Sequence, residues 1–184
     1  MTDATPRPAT SPVLIGVDGR SGAGKSTFAD ALAARLAPHA RVGVLRIESM
    51  YTGWDGLAAV LTPDSPYARA LRDLRAGRPA RWRAWDWHRA APGEETVLTP
   101  GDVVVCEGVG ALCAAARGLL DLRVWLELDE PSRRTRALAR DGETYAPHWS
   151  RWSTQEERYL DADRPAAAAD VTTSLAGPCP TSPS

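Results

Sequence analysis

The sequence predicts a three-layer α/β/α fold built on a mostly parallel five-stranded sheet, with a small hairpin and a lid on the substrate side. Short apolar runs of strand length alternate with amphipathic stretches of helix length along the chain. The first of these runs passes through a glycine-rich turn directly into a helical stripe. At 184 residues the chain is long enough for one domain with a sizeable core, expected over residues 13–175.

Val13-Leu14-Ile15-Gly16-Val17-Asp18 is short and mostly apolar, as suits a strand buried on both faces. Phe28, Leu32 and Leu36 then mark a helix that ends near Pro38. Arg41–Glu48 reads as a second strand that ends in a carboxylate, and a loop with Gly53 and Gly56 follows it. A helix is expected over Tyr67–Arg75, closed by Gly77 and Pro79. Arg81–Trp87 alternates in residue type and pairs in expectation with Thr96-Val97-Leu98 across a Pro92-Gly93 turn. Asp102–Gly108, Leu122–Leu128 and Asp170–Thr173 complete the core strands, connected by helices around Ala111–Leu120, Pro131–Arg140 and Trp152–Leu160.

Gly19-Arg20-Ser21-Gly22-Ala23-Gly24-Lys25-Ser26-Thr27 matches the G-x-x-x-x-G-K-[ST] phosphate loop at every fixed position. Lys25 is the only lysine in the chain, and every other permanent side-chain cation is an arginine. A compact ammonium fits a tight phosphate cradle where the planar guanidinium does not. Strand, glycine turn and helix in this order predict the P-loop NTPase fold. Backbone N–H groups and the helix N-terminus would hold phosphates there. Lys25 is expected on the β- and γ-phosphates of ATP, and the Ser26 hydroxyl on Mg²⁺.

Other residues extend the site. Glu107 ends an apolar strand, where an open α/β sheet places ligands, and would support Mg²⁺. Glu48 occupies the equivalent place on the second strand and could orient an acceptor hydroxyl and take its proton. Arg133, Arg136 and Arg140 share a helix face, either as a lid over the transferring phosphoryl group or as a solvated basic face. Trp82, Trp85 and Trp87 surround Asp86, which suits a flat or hydroxylated acceptor or, equally, a packed hairpin.

Composition narrows the classes. A net charge of -1 gives no reason to expect nucleic acid, and no apolar run is long enough for a membrane span. Residues 1–12 lack a signal-peptide core and, like residues 176–184, are expected to be disordered, with the protein cytoplasmic. Cys106, Cys113 and Cys179 form no metal or redox spacing. A GTPase would need an N-K-x-D motif, and the single lysine is already committed.

Asp18–Thr27 resembles the D-G-x-S-G-x-G-K-[ST] loop of the uridine kinase and phosphoribulokinase-like family. Glu48-Ser49-Met50-Tyr51 is similar to that family's D-S-F-Y, with Glu48 in place of Asp, and Trp85-Asp86-Trp87 to its Y-D-F. Cys106-Glu107-Gly108, Arg133-Arg134 through Arg140-Asp141, and Ala169-Asp170-Val171 follow in the family's order. The fuller wording looks closest to a high-GC bacterial branch of uridine kinase-like proteins.

The resemblance implies an ATP- and Mg²⁺-dependent kinase acting on a nucleoside or similar small acceptor. Lys25, Glu48 and Arg140 would be catalytic, and Gly19 through Thr27 would bind the nucleotide. Tyr51, Trp85, Asp86 and Arg136 would bind the acceptor, and Ser26 and Glu107 the metal. No nucleic-acid or membrane partner is expected, and a homo-oligomer is left open. The alternatives are an ATP-binding regulatory protein and a degenerate kinase without small-molecule transfer.

Overall fold

The computed structural model describes residues 11–174. The expectations for residues 1–10, for the 176–184 tail and for Cys179 lie outside the described residues. Strands β1 (Val13–Asp18), β2 (Val42–Arg46), β5 (Val103–Glu107), β6 (Leu122–Leu126) and β7 (Val171–Thr173) form one parallel sheet in the order β2-β5-β1-β6-β7. Strands β3 (Ala80–Asp86) and β4 (Ala91–Leu98) form a separate antiparallel ribbon. The helices are α1 (Lys25–Leu36), α2 (Pro66–Arg75), α3 (Glu130–Tyr145) and α4 (Trp149–Asp163).

Strand alternation produces the three layers. Ile15, Val17 and Val105 point to one face of the sheet and pack with Ala29, Phe28 and Leu32 of α1. Leu14, Leu45, Val104 and Cys106 point to the other, against Tyr67, Leu71 and Leu74 of α2 and Trp152 and Tyr159 of α4. Cys106 is fully buried, and burial pushes its thiol up to about 12, in keeping with a small hydrophobe. No helix among the described residues is long and apolar enough to cross a membrane.

Three local expectations are corrected. The helix expected over 111–120 is instead a series of turns with one short 3₁₀ stretch, Arg117–Leu119. Partners elsewhere in the chain fix the backbone entering this segment, and Gly110 there takes φ 94°, outside the right-handed helical region. The N–H groups of Gly110 and Leu112 donate to the Asp18 carboxylate, and the carbonyls of Val109 and Ala111 accept from the Tyr51 and Tyr67 hydroxyls. The hairpin reverses at Trp87–Ala90 rather than at Pro92-Gly93, which lie inside β4 with Pro92 opposite Trp85. Asp86 sets that turn, because its Oδ1 accepts the N–H groups of His88 and Arg89, both at 3.0 Å. The second strand stops at Arg46, so Glu48 rides on the following 3₁₀ turn, Ile47–Met50.

Candidate active site

The phosphate loop leaves the C-terminal end of the central strand β1, and Gly24 enters α1 with φ 94°. Asp18 at the root of the loop is fully buried. Its two oxygens accept from Gly19 N (2.7 Å), Gly110 N (3.2 Å), Leu112 N (2.8 Å) and the Tyr159 hydroxyl (2.6 Å). Burial raises the Asp18 pKa, and the Tyr159, Leu112 and Gly19 donors oppose the rise.

Lys25 bends back so that its Nζ donates to the Arg20 carbonyl at 3.0 Å. Burial lowers the Lys25 pKa, and the negative charges of Glu156, Asp18 and Glu107 act against that fall. Ser26 Oγ donates to Glu107 Oε1 at 3.1 Å, and Arg46 Nη1 reaches the same oxygen at 3.1 Å. The parallel register explains this meeting, since Glu107 lies opposite both Val17 of β1 and Arg46 of β2.

The hairpin holds the turn that carries Glu48. Trp82 Nε1 donates to Ser49 Oγ at 2.9 Å, and that hydroxyl donates to the Arg46 carbonyl at 2.8 Å. Water reaches the Glu48 carboxylate, yet the protein mass around it raises its pKa through desolvation. The positive charge of Arg140 opposes the rise, and Glu107 and Asp141 add to it.

A cavity of about 760 Å³ joins these groups. Ser21, Gly22, Gly24, Lys25, Ser26 and Thr27 line one side, and Glu48, Glu107, Arg136 and Arg140 converge on it. Its aromatic wall is made by Tyr51, Trp54, Trp87, Tyr145 and Trp152. Trp54 stacks on His148 (centroids 4.4 Å apart) and on Tyr145 (5.3 Å), with Trp87 tilted against it at 5.0 Å.

Several expected residues stand elsewhere. Gly19, Arg20 and Ala23 shape the loop without lining the cavity. The Arg20 guanidinium turns to α4, donating to Glu156 Oε2 at 3.0 Å and Ser153 Oγ at 2.8 Å. Trp85 and Asp86 lie outside the lining, and Asp86 spends an oxygen on its own turn. Arg133 faces away from the cavity. It is buried beneath the loop and donates to the carbonyls of Leu128 (3.0 Å) and Ser21 (3.2 Å), so only Arg136 and Arg140 of that helix face line the site.

The sequence reading missed Trp54, Tyr145, Trp152 and Glu156. For Glu156 a signal existed, because Trp149, Trp152, Glu156 and Tyr159 form one buried helical stripe in which the acid is out of place.

No protein-family model matches the chain. A uridine kinase of Staphylococcus epidermidis is 30% identical over 141 residues, which cover 70% of this chain and 68% of that protein. One from Lactobacillus helveticus is 29% identical over 143 residues, covering 71% and 68%. The solved structure of a possible uridine kinase from Bacillus stearothermophilus has a TM-score of 0.65, with 20% identity and 88% of each chain covered, a likeness that bears on the fold alone. By identity and coverage, on a P-loop fold with the phosphate loop in its expected strand-to-helix setting, the chain belongs to the uridine kinase family of P-loop kinases.

Proposed function

We propose that this kinase transfers the γ-phosphoryl group of ATP, with Mg²⁺, to a hydroxyl of a nucleoside or nucleoside-like acceptor. The observation that carries the reading is the single cavity shared by the phosphate loop, the carboxylates Glu48 and Glu107, two arginines and an aromatic wall. Lys25 would bind the β- and γ-phosphates beside the loop N–H groups. Glu48 would accept the proton of the acceptor hydroxyl as the bond from that oxygen to the γ-phosphorus forms and the bond to the β–γ bridging oxygen breaks. Arg136 and Arg140 would hold the equatorial oxygens, whose charge is best met by preset cations. The aromatic wall, with Tyr51, would seat a flat acceptor.

The donor set suits Mg²⁺, since Ser26 Oγ and Glu107 Oε1 are hard oxygens 3.1 Å apart. Among the described residues no group of three or more His, Cys, Asp or Glu could hold a metal alone, which fits an ion that shares its ligands with the triphosphate and water. When bound, Mg²⁺ would neutralise phosphate charge. One domain over 13–175 and a cytoplasmic setting accord with this role.

The test is an ATP-consumption screen against nucleosides, sugars and vitamin-like alcohols, with Lys25→Ala as control. Phosphorylation of a nucleoside that is lost in Lys25→Ala supports the reading. ATP hydrolysis that no acceptor stimulates would contradict it and favour a regulatory protein.

A further inference from the structure

We propose that Glu156 is a positioning residue that fixes the Arg20–Ser21 peptide of the phosphate loop and links it to the acceptor-side aromatic wall. The proposal rests on the nucleotide reading above. Glu156 is 1% exposed on α4, and a carboxylate so buried requires partners. Its Oε1 accepts Ser21 N–H at 2.7 Å and Trp152 Nε1–H at 3.0 Å, and its Oε2 accepts Arg20 Nε–H at 3.0 Å.

Ser21 N–H and Arg20 C=O belong to one planar peptide unit, so they cannot be oriented independently. The carbonyl end of that unit receives Lys25 Nζ at 3.0 Å. Glu156 therefore sets from α4 the tilt of the plane that meets the Lys25 ammonium. Trp152 shares Oε1, lines the cavity and lies 5.0 Å from the Tyr51 ring. Pressure of an acceptor on this wall reaches the loop through one oxygen atom.

The experiment is calorimetric titration of ATP into the full chain, for the parent and Lys25→Ala, Glu156→Gln, Trp152→Phe and the Gln/Phe double variant, with the melting temperature of each variant measured alongside. Glu156→Gln keeps the shape but cannot accept at both ends, so ATP affinity falls about tenfold or more. Trp152→Phe keeps the ring without the donor and weakens ATP binding about threefold. The double variant is no weaker than Glu156→Gln alone, because both changes act on one oxygen. A Glu156→Gln variant that binds ATP within about twofold of the parent overturns the proposal. So does strict additivity in the double variant. If Glu156→Gln does not fold, unchanged ATP affinity in Trp152→Phe is the overturning result. A parent that binds ATP no better than Lys25→Ala removes the nucleotide reading itself, and the proposal with it.

Discussion

Gly22→Ala is the perturbation whose cost follows most directly from the coordinates. The general phosphate-loop pattern leaves this position free. Here Gly22 has φ 81°, and a Cβ added to it would lie 2.1 Å from the Arg133 carbonyl oxygen and 2.7 Å from its carbon. These are backbone atoms of α3, so no side chain can swing aside. Placing an L-residue in the left-handed region costs about 1–2 kcal/mol. Relieving the overlap requires the loop and α3 to part by about an ångström, an overpacking cost of about 1–3 kcal/mol. The resulting loss of about 2–5 kcal/mol lowers the melting temperature by roughly 5–15 °C for a chain of this size. Circular dichroism melts of Gly22→Ala and Gly118→Ala provide the comparison, since a Cβ at Gly118 meets nothing within 4 Å. Equal melting of Gly22→Ala and the parent would refute the packing of α3 on the loop, and a large loss in Gly118→Ala would refute the steric reasoning.

Two further substitutions separate chemistry from architecture. Glu48→Gln should lower kcat about 10²- to 10⁴-fold while ATP affinity holds. The base acts ionised and desolvation by the surrounding protein raises its pKa, so parental turnover should fall as pH drops through a value above the ordinary glutamate one, and the Gln variant should lack that limb. An acid limb that persists unchanged in Glu48→Gln assigns the titration to another group. Asp86→Ala removes the acceptor of two turn N–H groups and should cost about 1–3 kcal/mol in urea unfolding while the acceptor KM stays level. A large rise in acceptor KM with unchanged stability would return Asp86 to the acceptor site.

The parts legible in the sequence were those written locally. The phosphate loop is a contiguous motif, and its flanking strand and helix are set by apolar patterning, so Lys25 and Ser26 could be named without coordinates. Glu107 could be named because strand ends face one edge of a parallel sheet, and Glu48 because it sits on the turn that directly follows one. What escaped depends on contacts distant in sequence. Glu156 reaches Ser21 across 135 positions, and Tyr159 reaches Asp18 across 141. Residues 111–120 have helical composition, but Asp18, Tyr51 and Tyr67 claim backbone groups of residues 109–112, where that segment begins, which local propensity cannot foresee. Pro92-Gly93 has the composition of a turn, yet Asp86 forms its own turn earlier and draws the proline into the strand. The same capture explains why Asp86 lies outside the cavity while Trp54 and Trp87, on flanking loops, line it.

The central claim is tested most directly by the fate of the γ-phosphate. With γ-labelled ATP, Mg²⁺ and a nucleoside that the screen identifies, the label should appear on an acceptor hydroxyl in the parent and be absent in Lys25→Ala. Label released only as inorganic phosphate, at a rate no acceptor changes, would contradict a nucleoside-directed kinase.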